Sequence, residues 1–226
     1  MLALLYDVHG NLPALEAVLE DAEAAGAQRF VLGGDDAGGG AWPQETLARL
    51  GELEVALRIR GNWERWLARP EEAVDDDLIR AAIEWCSERI GAAAVQELGA
   101  LPEQAVLDGA RYCHGSPVSD MRSFDPEPAE DEAELLAGVS ERRVVFGHTH
   151  LQFRRPSGED IDLVNPGSVG LPFDGDHRAA YGLIGDDGEV QLRRISYDHL
   201  ASAAAVRERM GPWAEALAGR LERAAF

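Results

Sequence analysis

The sequence predicts an α/β fold, and three observations support this class. Residues 2–6 form a short apolar run, which is typical of a strand buried on both faces. Residues 30–32 and 55–59 form two similar runs, and the segments between the runs have helical periodicity. The order strand, helix, strand, helix, strand predicts parallel strands joined by right-handed crossovers.

The first two helices have start and stop signals. Asn11 offers an N-cap, Pro13 suits the first turn, and Gly26 ends the first helix. The second helix is predicted from about Pro43 to Leu50, before Gly51.

The second half of the chain predicts a long helix followed by hairpins. Residues 75–98 read as helical with a break near Gly91, and Asp108-Gly109 predicts a tight turn. Later segments predict a strand at 144–146, the hairpins 151–155 with 161–164 and 180–184 with 189–197, and a helical tail broken at Gly211. No linker is evident, so we expect one domain, residues 1–226, with a helical insertion at about 64–101 and a helical tail at about 198–226.

Charge and cysteine content exclude several classes of function. All 21 basic residues are arginine, and 41 acidic residues bring the net charge to −20, which disfavours long nucleic acids and anionic membranes as partners. Cys86 and Cys113 belong to no C-x-x-C pair, and no apolar run approaches membrane-spanning length. These features predict a soluble cytoplasmic protein with reduced thiols. The alanine-rich tail could pack on its own core or on a second copy, so a homo-oligomer stays open.

Polar side chains follow each of the three predicted parallel strands. Asp7 and His9 come after the first strand, Asp35 after the second, and Asn62 after the third. The carboxyl ends of parallel strands meet at one edge of a sheet, and ligands bind in the crevice outside that edge. We therefore expect these four side chains to lie together.

Three more histidines follow later strands, at His114, His148 and His150. Each fragment alone is weak, since Gly-Asp is a common turn and a lone histidine is usually a core residue. Their conjunction at successive strand ends is hard to obtain from packing needs alone. Oxygen and imidazole nitrogen without thiolate favours divalent Mn, Fe, Ni or Zn, and the Asp35 carboxylate can bridge two such ions.

This motif set resembles the calcineurin-like metallophosphoesterase family, whose pattern is D-x-H, G-D, G-N-H-[D/E], a later H, and G-H-x-H. The matching residues are Asp7, His9, Gly34-Asp35, Gly61-Asn62, His114-Gly115 and Gly147-His148-Thr149-His150. Asn165-Pro166-Gly167-Ser168 also resembles a turn of the small bacterial and archaeal phosphodiesterases of this family. The similarity spans about residues 2 to 195.

The resemblance implies a four-layer α/β/β/α sandwich with mixed sheets and a dinuclear metal centre, most readily manganese, at the sheets' edge. One metal would take Asp7, His9, Asp35 and His150, and the other would take Asp35, Asn62, His114 and His148. Asn62 would also be catalytic by binding a phosphate oxygen. The implied reaction is hydrolysis of a small phosphate ester by a hydroxide that bridges the metals. A phosphodiester is favoured, and phosphomonoester or phosphoprotein hydrolysis is the alternative.

The sequence departs from the family pattern at Trp63, where the family has a histidine after Gly-Asn. That histidine is held to protonate the leaving group or to bind phosphate, and an indole N–H cannot release a proton usefully near neutral pH. Losing a general acid costs about 10²–10⁴ in rate, so we expect a bias toward good leaving groups. The retromer scaffold subunit is similar in lacking this histidine, so a catalytically impaired metal-binding scaffold is the alternative of another class.

Several nearby residues keep open roles. Trp63 is a candidate for the substrate pocket, Trp66 could contact a nucleobase or simply pack, and the role of Glu64 is open. The remaining polar candidates are expected to be surface, loop or structural residues: Asp36, Asp174 to Asp176, His177, Arg178 and His199.

Overall fold

The computed structural model describes residues 1–158 and 160–226, and it contains two five-stranded β-sheets that pack face to face. Helix α1 (Leu12–Ala24) covers the outer face of one sheet, and the short helix α5 (Glu132–Leu135) covers the outer face of the other. Both sheets combine parallel and antiparallel pairs. The four-layer α/β/β/α class with mixed sheets is therefore confirmed.

The first sheet has the order β10-β9-β1-β2-β3. Its strands are β1 (Leu2–Leu5), β2 (Arg29–Leu32), β3 (Val55–Arg58), β9 (Ala179–Ile184) and β10 (Val190–Ile195). As predicted, β1, β2 and β3 are parallel neighbours. The antiparallel hairpin β9–β10 adds to the other side of β1.

The second sheet has the order β4-β5-β6-β8-β7. Its strands are β4 (Gln104–Leu107), β5 (Ala110–Cys113), β6 (Arg143–Val145), β7 (Phe153–Ser157) and β8 (Ile161–Asn165). The predicted turn at Asp108-Gly109 joins β4 to β5, and both residues have positive φ. Strands β5, β6 and β8 are parallel, so β5 and β6 end at the same edge.

Successive side chains of β1 and the residue after it point to opposite faces of the sheet, so this segment contributes to two apolar clusters. Leu4 and Tyr6 face the space between the sheets, whereas Ala3 and Leu5 pack under α1. The Tyr6 hydroxyl donates to the carbonyl of Val145 at 3.2 Å, which ties the two sheets together. An apolar run without polar alternation is what a strand with two buried faces requires.

The remaining helices form a separate apolar cluster beside the sheets. They are α2 (Pro43–Leu50), α3 (Asn62–Ala68), α4 (Asp77–Gly99), α6 (His199–Met210) and α7 (Glu215–Arg223). The break predicted at Gly91 is present, since its φ of 80° and ψ of 160° are not helical. The predicted break of the tail at Gly211 also lies between α6 and α7.

Asn11 occupies the N-cap position of α1, as predicted, but its side chain does not cap the helix. The Asn11 side chain makes no capping bond, and its amide instead donates to the Gly170 carbonyl at 2.8 Å while its oxygen accepts from Ser202 at 3.0 Å. Asn11 is buried, so these tertiary partners outcompete the local one. The residue joins the N-terminal region to α6.

Two further expectations concern the cysteines and the membrane. Cys86 and Cys113 are both buried free thiols, and burial raises the pKa of Cys86 to about 12. Among the described residues, no helix combines the length and the apolar composition needed to cross a membrane.

Candidate metal centre

All seven predicted ligand residues lie together where strands of both sheets end. Asp7 and His9 follow β1, Asp35 follows β2, and Asn62 opens α3 just after β3. His114 follows β5, and the loop after β6 carries His148 and His150. Six of these side chains are buried and His148 is partly exposed.

His9 and His150 face each other through ring nitrogens. The Nδ1–H of His9 donates to the Gly38 carbonyl at 2.6 Å, and the Nδ1–H of His150 donates to the Leu171 carbonyl. With these protons on Nδ1, both Nε2 atoms carry lone pairs, yet they lie 3.1 Å apart. Two lone pairs at this distance repel each other unless a cation lies between them.

The same pattern recurs around His114. Its Nδ1–H donates to the Gly33 carbonyl at 2.9 Å, which turns Nε2 toward the other predicted ligands. That Nε2 lies 3.1 Å from Asn62 Oδ1 and 3.4 Å from Asp35 Oδ2. His148 joins through its Nδ1, which is 3.0 Å from Asn62 Oδ1.

Two carboxylates lie between these imidazoles. Asp7 Oδ1 is 3.3 Å from His150 Nε2, 3.9 Å from His9 Nε2 and 3.8 Å from His114 Nε2. Asp35 Oδ2 is 3.8 Å from His9 Nε2. Asp7 Oδ1 is fully buried and has no hydrogen-bond partner among the described residues.

This arrangement fits divalent cations. Two groups of possible ligand atoms each lie within 4.8 Å of one another, namely Asp7 with His9 and His150, and Asp7 with Asp35 and His114. The orphaned carboxylate oxygen and the facing lone pairs would each gain a partner from a bound ion. The donor set of imidazole nitrogen and oxygen, without thiolate, suits borderline or hard metals.

The two buried carboxylates of the cluster favour positive charge at its centre. Burial lowers the pKa of His114, but Asp35 and Asp7 outweigh it and raise this pKa to about 10. Burial and the neighbouring His114 lower the pKa of His148 to about 4. A metal that replaces the proton of His114 would satisfy the same two carboxylates, so metal binding is expected to release protons.

The backbone at the ligands is strained. Asp7, His9, Asp35, His148 and His150 have φ between 50° and 69°, in the left-handed region that costs non-glycine residues about 1–3 kcal/mol each. Backbone bonds hold the first two loops in this shape, since Asp7 N donates to the Gly34 carbonyl at 3.1 Å and His9 N donates to the Asp35 carbonyl at 2.8 Å. Such strain concentrates at functional sites.

Two glycines allow the loops to approach closely. A Cβ at Gly61 would lie 2.2 Å from Asp35 Oδ1, and a Cβ at Gly147 would lie 2.5 Å from Asp7 Oδ2. Glycine is needed at both positions for space rather than for an unusual φ.

Glu64, whose role the sequence leaves open, holds two of these loops together through backbone hydrogen bonds. Its fully buried carboxylate accepts from the backbone N–H groups of Asp35 at 2.8 Å, Asp36 at 2.8 Å and Gly61 at 2.7 Å. Burial and the carboxylates of Asp35 and Asp36 raise the pKa of Glu64 to about 7. The residue therefore links the Asp35 loop to the start of α3.

Trp63 and Trp66 line one cavity of about 570 Å³ together with the predicted ligands His9, Asp35, Asn62, His148 and His150. Trp63 is 6 % exposed and stands edge-on to His9, with ring centroids 6.0 Å apart. The ring of Trp63 covers Gly38, where a Cβ would lie 2.1 Å from it. Both tryptophans also belong to the helical apolar cluster, so each one packs in the core and lines the cavity as well.

The other polar candidates lie outside the cluster. Asp36 is not in a solvated loop as expected, because it is fully buried and pairs with Arg58 at 3.0 Å. Arg178 pairs with Asp176 at 2.6 Å, and Asp174 pairs with Arg194. His177 and His199, expected to be surface or structural residues, pack against each other with ring centroids 4.3 Å apart.

Sequence reasoning missed the far wall of the cavity. Phe173, Leu217, Arg220 and Phe226 contribute to it. The pattern carried no signal for these residues because only the packing of α7 brings the end of the chain beside the ligands.

Comparisons with known proteins agree with this picture. A family model described as the calcineurin-like phosphoesterase superfamily domain matches residues 1–186, which excludes α6 and α7. Phosphodiesterase YfcE of Escherichia coli K12 is 31 % identical over 83 % of this chain and 89 % of its own length. The uncharacterized protein MJ0912 of Methanocaldococcus jannaschii is 27 % identical over 94 % of this chain and 95 % of its own. The crystal structure of a metallophosphoesterase from Sphaerobacter thermophilus superposes with a TM-score of 0.84 at 27 % identity, over 99 % of this chain and 98 % of that one.

Proposed function

The chain belongs to the calcineurin-like phosphoesterase superfamily, and from this premise we propose that it hydrolyses a small phosphodiester with two bound divalent cations. Membership supports phosphoester hydrolysis in general. We propose in addition that the substrate is a diester, that two metals bind and that they are transition-metal ions.

The observation that carries the proposal is the set of lone pairs that face each other at the strand ends. His9 Nε2 lies 3.1 Å from His150 Nε2, and Asp7 Oδ1 is buried without a hydrogen-bond partner among the described residues. Both features are unfavourable unless a cation lies between these atoms. Five separate chain segments bring the seven predicted ligands together. A purely structural role gives no reason for this convergence.

We assign the ligands to two ions. One ion would be held by Asp7, His9, Asp35 and His150, and the other by Asp35, Asn62, His114 and His148. Asp35 Oδ2 lies 3.8 Å from His9 Nε2 and 3.4 Å from His114 Nε2, which supports a bridging role for this carboxylate. Manganese is our first choice, with Fe, Ni and Zn as alternatives, because the site offers oxygen and imidazole but no thiolate.

Bound divalent cations supply Lewis acidity, which lowers the pKa of coordinated water and offsets charge on the phosphoryl group. The chain's own residues position these components. The carbonyls of Gly38, Gly33 and Leu171 fix the tautomers of His9, His114 and His150. The Nδ2 of Asn62 donates to no described residue, so it is available to bind a phosphate oxygen at the cavity surface.

Two observations favour a small diester as substrate. YfcE, 31 % identical, is named a phosphodiesterase. The cavity of about 570 Å³ accommodates a small molecule, and the net charge of −20 disfavours a long nucleic acid.

Trp63 limits the range of leaving groups. No described histidine takes the place of the missing one at the cavity, because His9, His148 and His150 are assigned to the metals. We therefore expect rates to fall steeply as the pKa of the leaving alcohol rises. Nucleoside and aryl esters of graded leaving-group pKa test this, and a flat dependence would contradict it.

The decisive experiment measures metal content and turnover on the same protein. Protein stripped with a chelator should not hydrolyse bis(4-nitrophenyl) phosphate, and Mn²⁺ should restore activity at two ions per chain. Asp7→Asn should abolish both metal binding and turnover, whereas Asp120→Asn, which only breaks an ion pair with Arg65, should retain both. A faster reaction with 4-nitrophenyl phosphate would favour a monoesterase. Metal-loaded protein that turns over no ester would favour the scaffold alternative, for which Trp63 is the supporting observation.

A further inference from the structure

The far wall of the metal-centre cavity comes from the C-terminal segment. Arg220 on α7 and Phe226 both line the cavity, and both lie beyond residue 186, where the family model ends. Phe173 and Ile79 complete this wall. The contribution of Arg220 and Phe226 therefore lies outside the part of the chain that the family model matches.

Arg220 is unusual among the arginines. Most of them form ion pairs with carboxylates, as expected in a chain with a net charge of −20. Arg220 is half-buried, yet among the described residues it has neither a carboxylate within ion-pair distance nor a hydrogen bond to any acceptor. Arg142 and Arg223 are also without such partners, but both are exposed.

Burial lowers the pKa of Arg220, and the nearby Asp76 opposes this shift. Among the described residues no ion pair joins Asp76 to Arg220, and Asp76 Oδ1 accepts from the N–H groups of Leu78 and Ile79 at the start of α4. A guanidinium has five N–H donors and remains charged at any physiological pH. Arg220 therefore presents unused positive charge and unused donors on the wall of the cavity.

Aromatic contacts connect Arg220 to the metal centre. Phe173 stacks on the predicted ligand His150, with centroids 4.3 Å apart and planes 11° apart. Phe226 meets Phe173 edge to face at 5.5 Å. The guanidinium of Arg220 lies over the Phe226 ring, 3.9 Å from its centroid.

Trp66 also lines the cavity and carries an unpartnered polar group. It is 4 % exposed, and its indole N–H is buried with no acceptor among the described residues. Trp63 packs beside it, with ring centroids 5.8 Å apart. The cavity thus combines aromatic surfaces with an unpartnered donor and an unpaired cation.

We propose that this cavity is a subsite for the second phosphate of a nucleotide diester, in which Arg220 binds that phosphate and the aromatic wall contacts the base. A nucleotide with one phosphate at the metals and another on the same sugar has all the required groups. Its base would contact the aromatic wall, and its second phosphate would take the free donors of Arg220 as charge-assisted hydrogen bonds. This inference rests on the proposed function, because the first phosphate must lie at the metal centre.

Binding to Mn²⁺-loaded protein tests the subsite without measuring turnover, because the metals would hold the first phosphate and neither thymidine ligand used is a phosphodiester. Thymidine 3′,5′-bisphosphate and thymidine 5′-phosphate are titrated while tryptophan fluorescence is recorded. We expect the bisphosphate to bind about tenfold more tightly or better, which is the effect of a hydrogen-bonded charge pair. Arg220→Gln should remove this preference, and Arg223→Gln should keep it, because Arg223 lies on the same helix but does not line the cavity. Equal affinities in the wild type, or no binding of either ligand, would overturn the inference.

Kinetics on the Mn²⁺-loaded protein separate this inference from the proposed function. The 5′-(4-nitrophenyl) esters of thymidine 3′,5′-bisphosphate and of thymidine 5′-phosphate share base and leaving group and differ by one phosphate. We expect the lower KM for the bisphosphate ester to disappear in Arg220→Gln and to persist in Arg223→Gln, which should turn over bis(4-nitrophenyl) phosphate like the wild type. Normal turnover of that simple diester without any bisphosphate preference would overturn the subsite alone. No turnover of any ester would overturn the proposed function.

Discussion

Replacing Gly61 by alanine should disable the metal centre while leaving the fold intact. The new Cβ would lie 2.2 Å from Asp35 Oδ1 and 2.8 Å from the ring of His114, whereas ordinary contacts begin at 3.4 Å. The carboxylate would have to move by 3.4 − 2.2 = 1.2 Å. Asp35 Oδ1 also accepts from Trp63 N at 2.9 Å, so the movement would break this bond as well.

The displacement is large on the scale of metal coordination but small for the fold. Ligand distances at metal sites are kept within about 0.2 Å, and disturbing the groups that orient ligands costs about 10–100-fold in metal affinity. The backbone of Gly61 has a φ of −98°, which alanine adopts freely. Alanine also restricts the unfolded chain, which is worth about 0.4–1 kcal/mol and offsets part of the strain.

Calorimetric titration of Mn²⁺ into stripped protein measures the affinity, and hydrolysis of bis(4-nitrophenyl) phosphate measures the consequence. We expect the affinity of Gly61→Ala to fall at least about tenfold, with its thermal unfolding in the absence of metal little changed. Gly51→Ala is the matched control, because its Cβ would lie 3.3 Å from the Ala48 carbonyl at the end of α2. An affinity for Mn²⁺ within a factor of about two of the wild type would refute the reasoning.

Three further predictions follow from the site and its surroundings. Mn²⁺ should raise the thermal stability of stripped protein, by about 2.7 kcal/mol at a hundred times its Kd, and the increase should be absent in Asp7→Asn. Trp63→His should accelerate esters with poor leaving groups by up to about 10²–10⁴-fold and 4-nitrophenyl esters far less; an unchanged dependence of rate on leaving-group pKa would contradict the role assigned to this position. Burial raises the pKa of Asp162, but hydrogen bonds from Arg154 at 2.9 Å and Arg143 at 2.8 Å outweigh it and lower this pKa. The carboxylate therefore stabilises the fold above its unfolded pKa of about 3.9 and stops doing so in acid. Asp162→Asn should cost about 1 kcal/mol in urea unfolding at pH 7, and a difference that persists at pH 2 would contradict this sign.

Patterns confined to a few neighbouring residues predicted much of the fold. The apolar run at residues 2–5 identified β1, Asp108-Gly109 identified a hairpin, and Gly91 identified the break in α4. Each signal is local, because strand burial, turn geometry and helix interruption depend on side chains close in sequence. The convergence of the seven polar residues was also predictable, since parallel strands end at a common edge.

Features that depend on distant partners were beyond the sequence. Asparagine is a common helix cap, but the side chain of Asn11 forms hydrogen bonds with Ser202 and Gly170 instead. Asp36 reads as a loop residue, but burial beside Arg58 and Glu64 makes it structural. No sequence pattern distinguishes Arg220 from the other arginines, and only the tertiary packing of α7 places it in the cavity.

The left-handed backbone at Asp7, His9, Asp35, His148 and His150 has a consequence for how such a protein can evolve. At these positions glycine or asparagine relaxes the backbone, so substitutions that destroy the site also recover stability. A duplicated copy of the gene, once free of selection for hydrolysis, would lose these side chains early and gain a more robust fold. Drift in this direction would turn an enzyme into a rigid platform for binding other proteins without passing through an unfolded ancestor.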